Sequence, residues 1–426
     1  MKHRRWRGLM IVLDGVGDRP VAELDGRTPL EAAATPHLDR LAARGLIGFV
    51  DPVYPGVAVG TEVGIGVLFG LRAPDELLPR GLLEAAGVGL PLAPGDVGFR
   101  CNFATVATDG GGRDPFALPL LDRRAGRIDQ GAAELARAID GLEVGDGVAV
   151  RLVPAAQFRA ALRLQGPGLS PRVTDVDPGG GRLDLGLLPC RPLDATDTAA
   201  DHTARLVNRL VTLAHERLRD HPVNLARRAH GLPEANALLP RGAGSARPSC
   251  GLLTRFDLRA AVISGDATVL GLGKALNMAT LTDRRFTADP ATDLSAKIEA
   301  TGAALAEHDI VFLHIKGSDI LSHDHYPQRK REFLERVDTV IAPLLRDDLV
   351  IAVTGDHSTP CDLGFHSGDP VPTLLVGPGG RADAQERFGE RACMAGGLGR
   401  IPARGLLWSM LDLMGYARNY APGDEL

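Results

Sequence analysis

The sequence predicts an α/β protein with an open, parallel sheet at its core and a smaller α+β domain inserted into the chain. Three short apolar runs, at residues 8–13, 310–315 and 349–354, are typical of buried parallel strands. A length of 426 residues exceeds one ordinary core and predicts two domains. Two polar, glycine-rich stretches, at residues 109–115 and 177–182, indicate loops around or within the smaller domain.

The elements before the insertion are predicted from periodicity and from helix start and stop signals. They are a strand at residues 8–13, helical segments at 28–45, a helix at 63–69 opened by residues 60–62, a short helix at 82–86 and a strand at 97–106. Pro36 breaks the first helical region, and Gly45 ends it, because proline suits a helix start and glycine a helix end.

The inserted domain is predicted at residues 110–190, and the discontinuous core domain at 1–109 and 191–426. The insertion contains a predicted helix at 130–140 and strands at 147–153 and 159–164. The core then continues with a long amphipathic helix at 197–220 and strands at 260–264, 310–315, 349–354 and 372–376.

The composition excludes several classes of protein. A hydrophobic content of 44%, a charged content of 24% and a net charge of −5 give no reason to expect nucleic-acid or membrane partners. No stretch approaches the roughly 18 apolar residues of a membrane span. The five cysteines are odd in number, scattered and without a CxxC pair, which favours a reducing cytoplasmic location over a disulfide framework.

Metal-type side chains follow each of the three apolar runs. The candidates are Asp14 after the first run, Asp319 and His323 after the second, and Asp356, His357 and His366 after the third. Because the carboxyl ends of parallel strands line the ligand crevice of an open sheet, these side chains are expected to meet at one edge. Three carboxylates and three imidazoles suit two divalent metals about 4 Å apart.

Histidines are concentrated in this part of the chain. Five of the 12 histidines fall between residues 314 and 366, and Asp319 and His323 share a face if their segment is helical. Such a pair by itself is more often a feature of the surface, so the metal prediction depends on the combination. His314 lies inside a predicted strand, where it suits a packed core residue equally well, and His325 has no assigned role.

Thr61 and Lys316 are the candidate catalytic residues. A hydroxyl at a helix start is most often an N-cap, but a nucleophile suits the same position because helix N–H groups stabilise an incoming phosphate. Both readings stay open for Thr61. Lys316, three residues before Asp319, points to the same crevice and would neutralise a transferring phosphoryl group.

Arginines are the candidate substrate-binding residues. Arg123, Arg124 and Arg127 form a basic loop inside the predicted insertion. Such loops are usually only solvated, but forked guanidinium groups suit the carboxylate and phosphate of an anionic substrate. Arg100 interrupts an apolar stretch and is expected to have a specific anionic partner.

Motifs along nearly the whole chain resemble the archaeal-type cofactor-independent phosphoglycerate mutases, a branch of the alkaline phosphatase superfamily. They are Val12-Leu13-Asp14-Gly15, residues 96–105, Asp122-Arg123-Arg124-Ala125-Gly126-Arg127, residues 168–170 and 174–178, residues 231–236 and 241–244, His314-Ile315-Lys316-Gly317-Ser318-Asp319 and Asp356-His357-Ser358-Thr359-Pro360-Cys361. The resemblance implies a doubly wound, mostly parallel, alkaline-phosphatase-like core with an inserted cap.

The resemblance also implies the chemistry. Members carry a phosphoryl group between the 2- and 3-hydroxyls of glycerate on a serine, with two divalent metals, often manganese, although magnesium, zinc or cobalt are alternatives. By position, one metal would be held by Asp14, Thr61, Asp356 and His357, and the other by Asp319, His323 and His366. Arginines of the cap would bind the substrate, and a homo-oligomer is left open.

The departures from the family pattern cluster beside the nucleophile. Thr61 replaces the serine, Ile65 replaces a histidine, and Leu71-Arg72 replaces a Tyr-Asp pair. Three hypotheses follow. The first is a mutase with a phospho-threonine intermediate, and the third is an inactive metal-bound binding protein. The second is a recruited homologue, which transfers a phosphonate-type group such as phosphonoformyl from a nucleotide-activated donor to phosphoglycerate in antibiotic biosynthesis. Whole-chain similarity puts the mutase first, and retention of all six ligands argues against the third.

Overall fold

A computed structural model of the chain describes residues 5–74, 76–108, 114–155, 157–179, 182–245 and 252–416. The chain forms two compact units, the larger of Met1–Leu77 with Ser249–Leu426 and the smaller of Leu78–Pro248. The predicted insertion, residues 110–190, lies inside the smaller unit, which extends further at both ends. Most of the predicted loop at 109–115 falls outside the described residues.

The strands and helices are numbered in chain order. The strands are β1 Arg7–Leu13, β2 Leu46–Asp51, β3 Val97–Val106, β4 Leu120–Asp122, β5 Ala149–Pro154, β6 Arg159–Gln165, β7 Ala237–Gly244, β8 Ala260–Ile263, β9 Ala279–Leu281, β10 Ile310–Ile315, β11 Leu349–Thr354, β12 Val371–Val376 and β13 Gly399–Pro402. The helices are α1 Pro29–Ala32, α2 Pro36–Ala42, α3 Thr61–Leu68, α4 Arg80–Gly87, α5 Ala132–Ile139, α6 Thr198–Leu218, α7 Pro222–Ala229, α8 Leu252–Arg255, α9 Ala267–Ala275, α10 Leu294–Glu307, α11 Gly317–His323, α12 Pro327–Ile341, α13 Glu390–Cys393 and α14 Ala403–Leu413.

The larger unit is built on an eight-stranded sheet of order β13-β2-β12-β11-β1-β10-β8-β9. Strand β12 pairs antiparallel with both neighbours, whereas the remaining pairs are parallel. Strand β1 lies between β10 and β11, and all three are buried apart from Arg7. The predicted mostly parallel α/β core is confirmed, and the three apolar runs are adjacent strands.

The helix boundaries of the larger unit follow local chemistry. Helix α1 begins with a capping box, in which the Thr28 hydroxyl accepts from the Glu31 N–H and the Glu31 carboxylate accepts from the Thr28 N–H. Helix α2 begins at Pro36, as predicted. Helix α3 begins at Thr61, and a side chain at Gly64 would place its Cβ 2.1 Å from the Asp356 carbonyl oxygen. Glycine therefore lets α3 approach the loop after β11.

The smaller unit is built on a five-stranded antiparallel sheet. Its order is β4-β3-β6-β5, and β7 also pairs with β3. Strand β3 precedes the predicted insertion and β7 follows it, yet they pair antiparallel with Asn102 opposite Leu239. This pairing explains why the unit is wider than residues 110–190. None of the described helices has the length and apolarity needed to cross a membrane.

Candidate active site

The predicted ligands of the larger unit lie at the carboxyl ends of its three central strands. Leu13 is in register with Ile315, and Val12 with Thr354, so the residues that follow emerge at the same level. Asp14, Asp319 and Asp356 are all buried. Three buried carboxylates at one edge need positive charge nearby, because an isolated buried carboxylate is strongly destabilising.

Four side chains converge in the first group of this site. The Nε2 atom of His357 lies 3.1 Å from Asp356 Oδ2, 3.5 Å from Asp14 Oδ1 and 3.4 Å from Thr61 Oγ1. Ligands at about 2.1 Å from one tetrahedral ion would be about 3.4 Å apart. Among the described residues, Asp14 Oδ1 and Asp356 Oδ2 are buried without a hydrogen-bond partner. The group therefore fits a divalent cation.

The second group is centred on Asp319. Its Oδ1 atom lies 3.4 Å from His323 Nε2 and 3.6 Å from His366 Nε2. Asp319 and His323 occupy one face of α11, as their spacing predicts. The His357 and His366 rings stack with centroids 3.6 Å apart, and ligand atoms of Asp319, His357 and His366 lie within 4.8 Å of one another. The two groups are thus adjacent.

Backbone carbonyls fix the tautomers of two histidines. The Nδ1 atom of His323 lies 2.7 Å from the Gly364 carbonyl oxygen, and that of His366 lies 2.7 Å from the Val59 carbonyl oxygen. Because only an N–H can donate to a carbonyl, both neutral rings carry their proton on Nδ1. This leaves the Nε2 lone pairs free toward Asp319, where a metal would be bound.

The hydroxyl group of Thr359 orients the ring of the third histidine, His357. His357 Nδ1 lies 3.0 Å from Thr359 Oγ1, and the Thr359 hydroxyl donates to Asp319 Oδ1 over 2.9 Å. Since that hydroxyl donates to Asp319, it accepts from the His357 N–H. Thr359 therefore connects the two groups and orients the Nε2 lone pair of His357.

His314 orients Asp14 rather than only filling the core. Its Nε2 atom lies 2.8 Å from Asp14 Oδ2, and its Nδ1 atom lies 3.0 Å from the Ser264 hydroxyl, which accepts from the Asp266 N–H. A His314 Nε2–H donated to Asp14 Oδ2 leaves Oδ1 available to a cation. The sequence shows only a histidine inside an apolar strand. It does not show the partner of this histidine, because Asp14 is 300 residues away in sequence and follows a different strand.

Lys316 lies between the two groups. Its Nζ atom is 2.8 Å from Asp14 Oδ2, 3.1 Å from Asp319 Oδ2 and 3.3 Å from Thr61 Oγ1. Burial alone would lower the pKa of this lysine, but Asp14 and Asp319 raise it well above the ordinary value. The ammonium group is therefore positively charged at neutral pH and directly beside the Thr61 hydroxyl.

The charges around His357 are strongly coupled. Burial alone would lower the pKa of His357, but the carboxylates of Asp356 and Asp14 raise it to about 9. The pKa of His366 is lowered, mainly by burial and secondly by the charge of the nearby His357. A metal ligand must be deprotonated, so a cation bound here would displace a proton from His357 at neutral pH.

Thr61 is the first residue of α3, and Gly60 occupies the N-cap position. The N-cap interpretation of Thr61 is therefore wrong. Its hydroxyl is instead within 3.4 Å of both His357 Nε2 and Lys316 Nζ. The two histidines without an assigned ligand role also have defined contacts. His314 orients Asp14, as described above, and His325 Nδ1 lies 2.7 Å from the Cys361 carbonyl oxygen.

The four predicted arginines lie in the smaller unit and have different surroundings. Arg123 makes two 2.6 Å hydrogen bonds to the Asp177 carboxylate. Arg124 and Arg127 are exposed. Burial lowers the pKa of Arg100 to about 10, against the nearby carboxylate of Glu84. Arg100 Nε is buried without a hydrogen-bond partner in the described part of the chain.

We expect Arg123→Ala to destabilise the protein by about 2 kcal/mol, because it removes the bidentate partner of the buried Asp177 carboxylate and leaves only the longer contact, at 3.4 Å, with Arg241. Urea denaturation followed by circular dichroism measures this. Burial alone would raise the pKa of Asp177, but hydrogen bonds from Arg123 and Gly179 hold it below the ordinary 3.8. The stabilisation is therefore present above about pH 4 and is lost as the pH falls through the lowered pKa.

The matched control is Arg205→Ala, which removes an exposed arginine paired with Asp201 on α6. Exposed helical pairs contribute only about 0.5 kcal/mol or less. If Arg123→Ala were as mild as Arg205→Ala at pH 7, the Asp177 pair would not stabilise the smaller unit.

Comparison with known proteins identifies the family. A sequence profile for 2,3-bisphosphoglycerate-independent phosphoglycerate mutase matches residues 42–224. The chain is 39% identical over 413 residues to 2,3-bisphosphoglycerate-independent phosphoglycerate mutase 1 of Methanothermobacter thermautotrophicus, covering 96% of this chain and 98% of that protein. The chain belongs to the 2,3-bisphosphoglycerate-independent phosphoglycerate mutase family. It is also 41% identical over 426 residues to the mutase of Thermococcus gammatolerans, covering 99% and 100% of the two chains.

Solved structures agree with this membership of the phosphoglycerate mutase family. The fold matches a Pyrococcus horikoshii protein with a TM-score of 0.83 and 34% identity, over 98% of this chain and 100% of that one. It matches the cofactor-independent phosphoglycerate mutase of Thermoplasma acidophilum with a TM-score of 0.70 and 32% identity, over 96% and 100%. The resemblance to the archaeal-type mutases is confirmed, and this family member is an enzyme.

The departures of this phosphoglycerate mutase relative from the expected pattern have different structural meanings. Thr61 stands at the predicted nucleophile position, next to the first ligand group. Ile65 is completely buried on α3. Ile65 supplies no polar atom where the family pattern has a histidine, whereas Thr61 retains a hydroxyl beside the first ligand group.

Proposed function

We propose that the chain interconverts 3-phosphoglycerate and 2-phosphoglycerate by carrying the phosphoryl group on Thr61. The observation that supports this most directly is the convergence of Thr61 Oγ1 with Lys316 Nζ at 3.3 Å and His357 Nε2 at 3.4 Å. A hydroxyl beside a cation and a set of metal-type ligands is the arrangement that activates an alcohol as a nucleophile. Membership of the mutase family supplies the substrate class.

The proposed cofactors are two divalent ions, with manganese as the first candidate. Asp14, Thr61, Asp356 and His357 would hold one, and Asp319, His323 and His366 the other. Bound ions would lower the pKa of the Thr61 hydroxyl and neutralise charge on the phosphoryl oxygens. Two buried carboxylate oxygens, which have no hydrogen-bond partner among the described residues, and the oriented Nε2 atoms support this assignment.

The proposed transfer has two balanced steps. In the first, Thr61 Oγ1 loses its proton and forms a bond to phosphorus, while the bond from phosphorus to the glycerate oxygen breaks and that oxygen takes up a proton. In the second, the neighbouring glycerate hydroxyl loses its proton and forms a bond to phosphorus, while the bond from phosphorus to Thr61 Oγ1 breaks and Oγ1 takes up a proton. The Lys316 ammonium group offsets the negative charge at Thr61 in both steps.

The arginines of the smaller unit are proposed to bind the phosphate and carboxylate of the substrate. Arg100 has a buried Nε atom without a partner among the described residues, and Arg124 and Arg127 are exposed. Arg123 keeps its proposed place, although Asp177 already occupies two of its donors. A phosphorylated acid carries charge at both ends, which suits more than one guanidinium group.

We expect Arg124→Ala to raise KM for 3-phosphoglycerate by about tenfold to a hundredfold, because a charge-assisted contact is worth about 1.5–3 kcal/mol. Steady-state kinetics measure the effect. Arg151→Ala is the control, since Arg151 is a half-exposed arginine of the same unit that pairs with Asp140. Equal KM values for both variants would mean that Arg124 is only solvated and does not bind the substrate.

The function is tested with the purified protein and Mn²⁺ in two separate assays. One supplies 3-phosphoglycerate and measures formation of 2-phosphoglycerate. The other supplies phosphoglycerate with a nucleotide-activated phosphonate. Mutase turnover supports the proposal, whereas phosphonate transfer without mutase turnover rejects it in favour of the recruited homologue. The cytoplasmic location and a homo-oligomeric state stay predictions.

A further inference from the structure

A second buried lysine lies behind the ligand groups. Lys330, on α12, is completely buried, and its Nζ atom donates to Asp18 Oδ2 at 2.9 Å, to the Gly15 carbonyl oxygen at 2.9 Å and to the Thr359 carbonyl oxygen at 3.3 Å. Three acceptors satisfy all three protons of the ammonium group. A buried charge that is fully paired in this way fixes the positions of its partners.

The carboxylate of Asp18 extends the contact to a second backbone segment. Its Oδ1 atom accepts from the Cys361 N–H at 3.0 Å, while Oδ2 accepts from Lys330. Asp18 is in the loop after β1, and Cys361 is in the loop after β11. The pair formed by Lys330 and Asp18 therefore joins both loops to α12 through charged hydrogen bonds.

The backbone groups held by this pair lie next to predicted ligands. Gly15 directly follows Asp14. Thr359 carries the hydroxyl that links His357 Nδ1 to Asp319 Oδ1. A shift of either backbone segment would move ligands of both groups, although neither Lys330 nor Asp18 is itself a candidate ligand.

We propose that Lys330 and Asp18 form a positioning pair for the metal centre, which sets the separation between the loops after β1 and β11. The proposal rests on the proposed function only in that the two groups bind divalent ions. Residues that support metal ligands from behind typically contribute tenfold to a hundredfold in metal affinity. A pair that served stability alone would leave the metal affinity of the folded protein unchanged.

The test measures Mn²⁺ affinity by isothermal titration calorimetry on folded protein, so it does not depend on turnover. Lys330→Met is expected to weaken Mn²⁺ binding by about tenfold to a hundredfold. The control is Asp338→Ala, which removes a buried carboxylate of the same helix. Asp338 accepts from the N–H groups of His37 and Leu38, away from both ligand loops. It is expected to lower thermal stability and keep native Mn²⁺ affinity.

Lys330→Met leaves Asp18 buried and unpaired and can prevent folding, so a second variant is needed. Asp18→Asn with Lys330→Met removes both charges and is expected to fold, with Mn²⁺ binding still at least about tenfold weaker than native. Native affinity in this double variant would overturn the proposal. So would an equal loss of affinity in Asp338→Ala, because that would reflect general destabilisation.

The two proposals fail in different ways. If the native protein binds Mn²⁺ and the variants bind it more weakly, but no 2-phosphoglycerate forms, only the mutase function is rejected. If the native protein is an active mutase and the double variant binds Mn²⁺ equally well, only the positioning role of Lys330 and Asp18 is rejected.

Discussion

Thr61→Val is expected to reduce mutase turnover by about 10⁴-fold to 10⁶-fold, the range found when one member of a nucleophilic catalytic triad is removed. Valine keeps the branched shape of threonine and removes the oxygen that lies near His357 and Lys316. The fold should be retained, because Thr61 is not the N-cap of α3 and its hydroxyl supports no helix N–H. Turnover of 3-phosphoglycerate and the circular dichroism spectrum measure the two effects.

Thr61→Ser is the matched control for this experiment. It keeps the hydroxyl and removes only the methyl group that restricts χ1. We expect it to retain turnover within about tenfold, because the reacting oxygen is preserved. Full activity of Thr61→Val would exclude a phospho-threonine intermediate, and mass spectrometry of rapidly quenched native protein should show the covalent phosphate.

Removal of divalent ions is expected to reduce turnover by a factor on the order of 10³ or more, which is the second large effect. Without the ions, the negative charges of the site and of the phosphoryl group are no longer neutralised. Excess chelator should abolish turnover and added Mn²⁺ should restore it. Asp356→Asn should weaken Mn²⁺ binding in the same way, because Asp356 Oδ2 is a buried oxygen without a hydrogen-bond partner among the described residues.

Asp362→Asn provides the matched control, as it removes an exposed carboxylate from the same loop. It should bind Mn²⁺ and turn over like the native protein. Turnover that persists in excess chelator, or equal Mn²⁺ affinity of Asp356→Asn and Asp362→Asn, would contradict a metal-dependent mechanism at this site.

The placement of the site could be predicted from sequence because it depends on local patterns. Apolar runs identified β1, β10 and β11, and the residues after them converge since parallel strands end at the same edge. The i, i+4 spacing predicted that Asp319 and His323 share a face of α11. These inferences need only periodicity and strand direction.

The supporting contacts could not be predicted because they join distant segments. Thr359 is a neighbour of His357 in sequence, but its second partner, Asp319, comes from another strand end. No local pattern shows that β3 pairs with β7 either, and this pairing is why the smaller unit extends beyond the predicted insertion at residues 110–190. The sequence likewise could not show that two donors of Arg123 already bind the Asp177 carboxylate.

Gly64 carries no functional group, yet it controls the distance between two others. A Cβ atom there would lie 2.1 Å from the Asp356 carbonyl oxygen, so any side chain would push α3 away from the loop that bears Asp356 and His357. Thr61 begins that helix and would move with it. The absence of a side chain at residue 64 therefore sets how closely the proposed nucleophile approaches the candidate ligands, and substitutions there are expected to be disruptive although Gly64 takes no part in the proposed chemistry.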